Sequence, residues 1–155
     1  MARDYNSSKK EGFLVIAPII YGSYEEEDML KVFVTIYSQA YKLYENTLAE
    51  TGGSAIPVAI TYKKDDNGGY IEEKYEQARD GSDFAPSIRE FSTTPKSNKE
   101  IKGLADKILN DYGSSEEMTQ LMYSNLYNHL RKNGVTDAIL RDPYGEIKFS
   151  MKDFK

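Results

Sequence analysis

The sequence predicts an α+β fold in which two amphipathic helices pack on one face of an antiparallel sheet. Two observations support this prediction. Up to about residue 78, β-branched and aromatic residues are dense and alternate with polar residues, which is typical of strands. Beyond that point the apolar residues recur at helical spacing. Strands that come first and helices that follow give the order β-β-β-β-α-α-β-β, which indicates α+β.

Four strands are predicted in the N-terminal half. They are Phe13–Tyr21, Lys31–Tyr44, Ala55–Tyr62 and Tyr70–Ala78. Pro18 cannot donate a ladder hydrogen bond, so the first strand is expected at a sheet edge or with a bulge. Residues 31–44 would also form an apolar stripe as a helix, but their β-branched and aromatic density favours a strand.

Short polar segments are predicted to join these strands. Glu25–Asp28 is expected to be a solvated turn, and Thr51–Ser54 a turn or bulge. Asp65–Gly69 contains Asn-Gly, which predicts a tight primed hairpin turn because both central residues of that turn need positive φ. Near the C-terminus, Asp142–Gly145 reads Asp-Pro-Tyr-Gly and predicts a type I turn inside a closing hairpin.

The C-terminal half predicts two helices. The first carries apolar residues at i, i+3, i+4, i+7, i+8 and i+11, namely Ile101, Leu104, Ala105, Ile108, Leu109 and Tyr112. Ser97 or Asn98 is its expected N-cap, and Gly113 its end. The second helix begins with a capping box between Ser114 and Glu117 and stops at Gly134.

Length and composition predict one domain over residues 13–155, preceded by a flexible arm over residues 1–12. The net charge of −5 argues against nucleic-acid binding, which needs a basic face. The absence of cysteine excludes disulfides and thiolate chemistry. The longest apolar run is far shorter than the roughly 20 residues of a membrane span. No cofactor and no metal are expected.

No catalytic constellation is visible in the sequence. His129 is the single histidine, and no zinc-binding or nucleophile-elbow spacing accompanies it, so we expect it on a helix face. The acidic clusters do not fit a calcium loop, although a weak cation site at Asp80, Ser82 and Asp83 stays open. A pair of carboxylates for hydrolysis also stays open, because spatial pairing is invisible in a sequence.

The 13 tyrosines are the unusual feature of the composition. Those on predicted strands could form an aromatic binding face, because tyrosine offers contact area at low entropic cost. The alternative is that they belong to the core, since tyrosine is a good strand residue. The corner at Arg79–Ser82 is either part of that site or only the joint between sheet and helices. The candidate ligand-binding residues are Tyr37, Tyr41, Tyr62, Tyr70, Tyr75, Arg79 and Asp80.

Several short motifs resemble an uncharacterised domain of Gram-positive bacteria, chiefly clostridia. They are Thr51–Ser54, the strand Ile56-Pro57-Val58, Tyr75, and the corner Asp80–Ile88. Proteins with that domain are exported or membrane-anchored, and some are joined to membrane metallopeptidases of the β-lactam-sensor type. This chain departs from them by lacking tryptophan near Tyr75 and by carrying Asp83 in place of an aromatic residue. The resemblance implies an extracytoplasmic setting and no catalytic role.

Together these observations favour a non-enzymatic binding or sensor domain that is exported and recognises a peptide, a cell-wall component or a partner protein. A small inhibitor or immunity-type protein, which presents Glu25–Asp28 to a basic partner, is the alternative. A carboxylate-dependent hydrolase is the third hypothesis. A cytoplasmic location is the alternative to the extracytoplasmic one.

Overall fold

The computed structural model describes residues 12–113 and 115–154. The predicted arm lies outside the described residues except for Gly12, and so does the predicted cap Ser114. A 3₁₀ turn over Gly81–Asp83 precedes the first helix. The strands are β1 (Phe13–Glu26), β2 (Met29–Tyr44), β3 (Thr47–Lys64), β4 (Tyr70–Gln77), β5 (Ile139–Arg141) and β6 (Ile147–Ser150), and the helices are α1 (Phe84–Phe91), α2 (Leu104–Asp111) and α3 (Glu116–Lys132).

The six strands of the described chain form one sheet in the order β1-β2-β3-β5-β6, and β4 also pairs with β3. The α+β class is therefore confirmed, and β1 lies at an edge as Pro18 indicated. The prediction of a purely antiparallel sheet is wrong, because Thr47 and Leu48 pair in parallel with Ile139 and Leu140. A long connection that contains α1, α2 and α3 separates β4 from β5, and such connections allow parallel pairing.

The chain divides into two compact units. Each of the strands β1, β2 and β3 has one segment in the first unit and the rest of its length in the second. The prediction of a single domain over residues 13–155 stays a prediction. The first unit comprises Met1–Ala17, Tyr37–Ser54 and Glu116–Lys155, and the second comprises Pro18–Ile36 and Ala55–Ser115.

In the first unit, α3 buries Met122, Leu126 and Leu130, as its apolar spacing predicts. The ring of Phe13 stacks on His129 with centroids 4.4 Å apart, so the single histidine lies on a helix face against an aromatic ring. The helix ends two residues before Gly134, whose φ is +82°. This conformation confirms the predicted glycine stop.

In the second unit, α1 and α2 pack against the strand residues Phe33 and Ala59. Ile88 and Phe91 of α1 are buried there. The predicted start of the next helix is wrong, because α2 begins at Leu104 with Gly103 at the N-cap. The preceding residues 92–101 instead form a loop closed by a bridge between Thr93 and Glu100, which we call the 92–101 loop.

Two hairpin turns share one hydrogen-bond pattern. In each, an aspartate carboxylate accepts from the backbone N–H groups two and four residues later, and its carbonyl accepts from a glycine with positive φ. The aspartates are Asp65 and Asp142. The type I turn predicted at Asp142 is confirmed. The primed turn predicted at Asn67 is wrong, because positive φ occurs at Gly68 and not at Asn67.

The segment Thr51–Ser54 is not a turn, because β3 continues through it. Its glycines allow a close approach to the neighbouring strand. The side-chain amide of Gln39 donates to the carbonyl of Gly52 at 2.8 Å. A Cβ on Gly53 would lie 3.2 Å from the carbonyl oxygen of Ser38 and 2.8 Å from Oε1 of Gln39. A Cβ on Gly52 would meet nothing within 4 Å.

We expect Gly53→Ala to lower the free energy of unfolding by about 1–2 kcal/mol, because strand and side chain must shift to admit the Cβ. The matched variant Gly52→Ala enters open space and should be neutral or stabilising by up to about 1 kcal/mol, since alanine restricts the unfolded chain. Urea unfolding of both variants measures the difference. Equal effects at the two positions would contradict the close approach.

Candidate functional site

Three of the predicted tyrosines lie on one sheet face of the second unit. In the pairing of β3 with β4, Ile60 lies opposite Tyr75 and Lys64 opposite Tyr70. Directly opposed residues share a face, and alternate residues along a strand do too, so Tyr62 joins them. Ala59 lies on the other face, in the core formed with α1 and α2. Tyr62, Tyr70 and Tyr75 therefore point away from these helices.

The strand β1 adds an apolar residue to the same face. Thr35 Oγ1 donates to the hydroxyl of Tyr21 at 3.0 Å, and Tyr21 packs against the helix-side core. Its neighbour Ile20 must then point to the opposite face, where it is 66% exposed. Tyr70 and Tyr75 are exposed like Ile20, whereas Ile60 and Tyr62 are half-buried. We call this surface, made of Ile20, Ile60, Tyr62, Tyr70 and Tyr75, the open face.

Tyr37 and Tyr41 belong to the first unit and are buried. Their expected place in an exposed aromatic face is therefore corrected: they are core residues. The ring of Tyr41 stacks against Phe13 with centroids 5.7 Å apart. Burial raises the pKa of the Tyr41 hydroxyl far above its ordinary value. Tyr37 and Tyr41 are buried because alternate residues of β2 point to the same side of the sheet, and this side faces the core.

Arg79 and Asp80 form the joint between β4 and α1. The backbone N–H of Arg79 donates to Ser87 Oγ at 2.9 Å, and its guanidinium pairs with Glu90 at 2.7 Å on the surface. Asp80 occupies the N-cap position of the 3₁₀ turn without a side-chain hydrogen bond. Gly81 follows with a φ of +65°, which turns the chain. A ligand-contact role for Arg79 and Asp80 stays a prediction.

Two carboxylates of the acidic segment Glu25–Asp28 have partners inside the second unit. Glu26 accepts from the backbone N–H groups of Lys96 and Ser97 at 2.8 and 2.9 Å, and from Ser97 Oγ at 2.6 Å. These hydrogen bonds lower the pKa of Glu26 from 4.5 to about 2. Glu27 pairs with the ammonium of Lys96 at 2.6 Å. The segment Glu25–Asp28 therefore includes the end of β1, and two of its carboxylates hold the 92–101 loop in place.

A cavity of about 550 Å³ lies on the helix side of the sheet in the second unit. Lys31 lines it, and its side chain is 4% exposed. Its ammonium donates to Thr93 Oγ1 at 3.1 Å and lies 3.6 Å from a carboxylate oxygen of Glu76. Desolvation lowers the pKa of Lys31, against the opposing effect of Glu76. The cavity wall comprises Met29, Lys31, Thr61, Glu73, Lys74, Glu76, Glu90, Thr93, Pro95 and Asn98.

Lys31 is not among the residues predicted from the sequence, and Glu26 is named there only as part of the acidic segment Glu25–Asp28. A signal for Lys31 was present, because it shares parity with Phe33, Tyr37 and Tyr41, and no other residue on this side of the strand is charged. A lysine on the buried side of a strand is unusual and indicates a functional site or a structural pair. The role of Glu26 had no local signal, because its partners lie 70 and 71 residues away.

Neither a metal site nor a membrane helix is found in the described part of the chain. Over residues 12–113 and 115–154, no three His, Asp or Glu side chains lie close enough together to hold a metal ion. Among the helices of the same residues, none is long and apolar enough to cross a membrane.

Comparison with known proteins gives no relative. No family model matches the chain, and neither the curated proteins nor the solved structures contain a match.

We expect the stability of the chain to depend on the ionisation of Glu26. Because its pKa is depressed in the folded state, the stabilisation is full above the ordinary value of 4.5 and is lost as pH falls towards 2. Glu26→Gln should therefore unfold more easily than the wild type at pH 6, and this difference should shrink between about pH 5 and pH 2. Denaturant unfolding across this pH range measures it.

Glu25→Gln is the matched control, since it removes the same charge one residue away. The side chain of Glu25 makes no hydrogen bond or ion pair within the described structure, so we expect little change at any pH. If both variants behave alike, the anchoring role of Glu26 is wrong.

Proposed function

We propose that the chain is a non-enzymatic binding domain that recognises a partner protein through the open face of its second unit. The observation that carries this proposal is the register of β3 and β4, which places Tyr62, Tyr70 and Tyr75 on one face with Ile60. One face of an antiparallel sheet is normally packed and the other polar. An exposed apolar and aromatic sheet face instead marks an interaction surface.

The residues around the open face fit a protein interface. Lys64, Glu72 and Gln77 lie on the same face by register, so charged and polar side chains border the tyrosines. An apolar centre with a polar rim, rich in tyrosine, is the usual anatomy of such interfaces. The absence of tryptophan makes a sugar ligand the weaker alternative.

The charges of β4 favour a folded partner over an added peptide strand. Among the described strands, β4 pairs with β3 alone, and it carries Glu72, Glu73, Lys74 and Glu76. Charged side chains on an edge strand oppose the pairing of a further strand. Recognition by side chains on the open face is therefore the better hypothesis for this surface.

The proposed setting is extracytoplasmic, as the resemblance to exported clostridial domains implies. The alternative of an inhibitor that presents Glu25–Asp28 loses support, because Glu26 and Glu27 already have partners within the chain. Their charges are shared with the 92–101 loop and are less available to a basic partner.

The test is photo-cross-linking in the cells that naturally make the protein. A benzophenone amino acid replaces Tyr75 on the open face, or Tyr144, which is 92% exposed in the first unit. We expect a discrete adduct with another protein at position 75 and none at position 144. The greater exposure of Tyr144 makes it a strict control for random capture.

The cross-linked protein is then purified and its affinity measured. We expect Tyr75→Ala and Tyr62→Ala to weaken binding about 10- to 30-fold, as for interface aromatic residues, and Tyr144→Ala to change it less than twofold. Adducts of equal yield at both positions, an adduct with a second copy of the chain, or unchanged affinity of the alanine variants would each contradict the proposal.

A further inference from the structure

The cavity of the second unit is lined by a buried cation, Lys31, whose contacts with protein acceptors are few and partly long. An ammonium group has three N–H donors. Within the described residues, Lys31 donates to Thr93 Oγ1 at 3.1 Å, and its ion pair with Glu76 is long, at 3.6 Å. The side chain is only 4% exposed, and an anionic ligand in the cavity could bind its ammonium more closely than Glu76 does.

The local charge around Lys31 is also poorly matched. Glu76 is shared, because the ammonium of Lys74 lies 3.6 Å from its other carboxylate oxygen. The ring of Phe33, 5.4 Å from the Lys31 nitrogen, adds a weak attraction only. Burial of a cation with incomplete compensation is costly, and an anionic group delivered into the cavity would offset this cost.

A second charged side chain, the carboxylate of Glu73, lines the same cavity. Glu73 is exposed, and its carboxylate makes no ion pair or hydrogen bond within the described residues. The register of β3 and β4 shifts between Thr61 and Tyr62, where Glu73 is the extra residue of β4. Such a bulge re-aims a side chain, and here it leaves Glu73 beside Lys74 on the cavity wall.

The wall on the helix side is held in place by contacts already described. Thr93, Pro95 and Asn98 belong to the 92–101 loop. Glu26 fixes the backbone of this loop, and the bridge from Thr93 to Glu100 closes it. A cavity of about 550 Å³ falls in the range of small-molecule sites. It would admit an amino acid or a short peptide.

We propose that this cavity binds a zwitterion, either a free amino acid or a short linear peptide. Its carboxylate accepts from the ammonium of Lys31 at the base, and its ammonium pairs with Glu73 at the mouth. Opposite charges at two places in one cavity select a ligand with both charges over a ligand with one. This inference concerns the helix side of the sheet and does not depend on the open face.

The test is a titration of protein labelled with ¹³C at lysine Cε and followed by NMR. The probes are glycine and alanine as free amino acids, and glycylglycine and triglycine as peptides. N-acetylglycine and glycinamide each remove one of the two charges. We expect at least one zwitterion to shift the Lys31 signal saturably, and both blocked compounds to bind at least about tenfold more weakly. The length series distinguishes an amino acid from a peptide.

Two variants with matched controls separate binding from folding. Lys31→Met should abolish binding, and its free energy of unfolding should be unchanged or higher, because a buried charge is replaced by an apolar side chain. Lys107→Met, on the exposed side of α2, is its control. Glu73→Gln is exposed and keeps the fold, and should weaken binding about tenfold, whereas Glu72→Gln on the opposite face should not.

Three results would overturn the inference. The first is the absence of any saturable Lys31 shift with all four zwitterions. The second is equal binding of N-acetylglycine or glycinamide, which would show that one charge suffices. The third is equal binding by Glu73→Gln and the wild type, a result that holds even if Lys31→Met fails to fold.

Discussion

The pairing of β3 is the constraint on which the rest of the structure depends. One edge of this strand pairs with β2, and the other edge is divided between β5 at residues 47–48 and β4 at residues 58–64. The strand β4 runs antiparallel to β3 and follows it after a five-residue turn. The strand β5 runs parallel to β3 and follows a long connection that contains the three helices. A hairpin must be antiparallel, and a long crossover permits a parallel pair. The mixed sheet follows from these two connections.

The alternation of side chains along the strands decides which residues are available for binding. In β2, Phe33, Tyr37 and Tyr41 share the core-facing side, so two of the predicted ligand-binding tyrosines are core residues. In the second unit, the parity of β3 and β4 places the other three tyrosines away from α1 and α2. Lys31 follows the same rule and lies on the core side, where burial lowers its pKa. The two-residue alternation of side chains along the strands thus places the tyrosines on the open face and Lys31 on the buried side.

Contacts between residues far apart in the chain fix the wall of the cavity. The last residue of β1 is Glu26, whose carboxylate holds the backbone of the 92–101 loop. The loop in turn supplies Thr93, the acceptor for the Lys31 ammonium. Backbone N–H groups that bind a carboxylate strongly favour its charged form, so the geometry of the cavity wall is coupled to the ionisation of Glu26. A surface acid thereby contributes to the shape of an interior site.

The sequence by itself determined the α+β class, the strand at residues 31–44, α3 with its glycine stop, and the type I turn at Asp142. Each depends on neighbouring residues, through periodicity or turn chemistry, which a sequence displays directly. The turn or bulge predicted at Thr51–Ser54 is wrong, because a turn and a close approach of strands both favour glycine and the sequence does not distinguish them. Only the tertiary structure decided the parallel pair of β3 and β5, the split of the tyrosines, and the roles of Lys31 and Glu26. Those features depend on contacts between residues far apart in the chain, whose pairing and burial are set by packing.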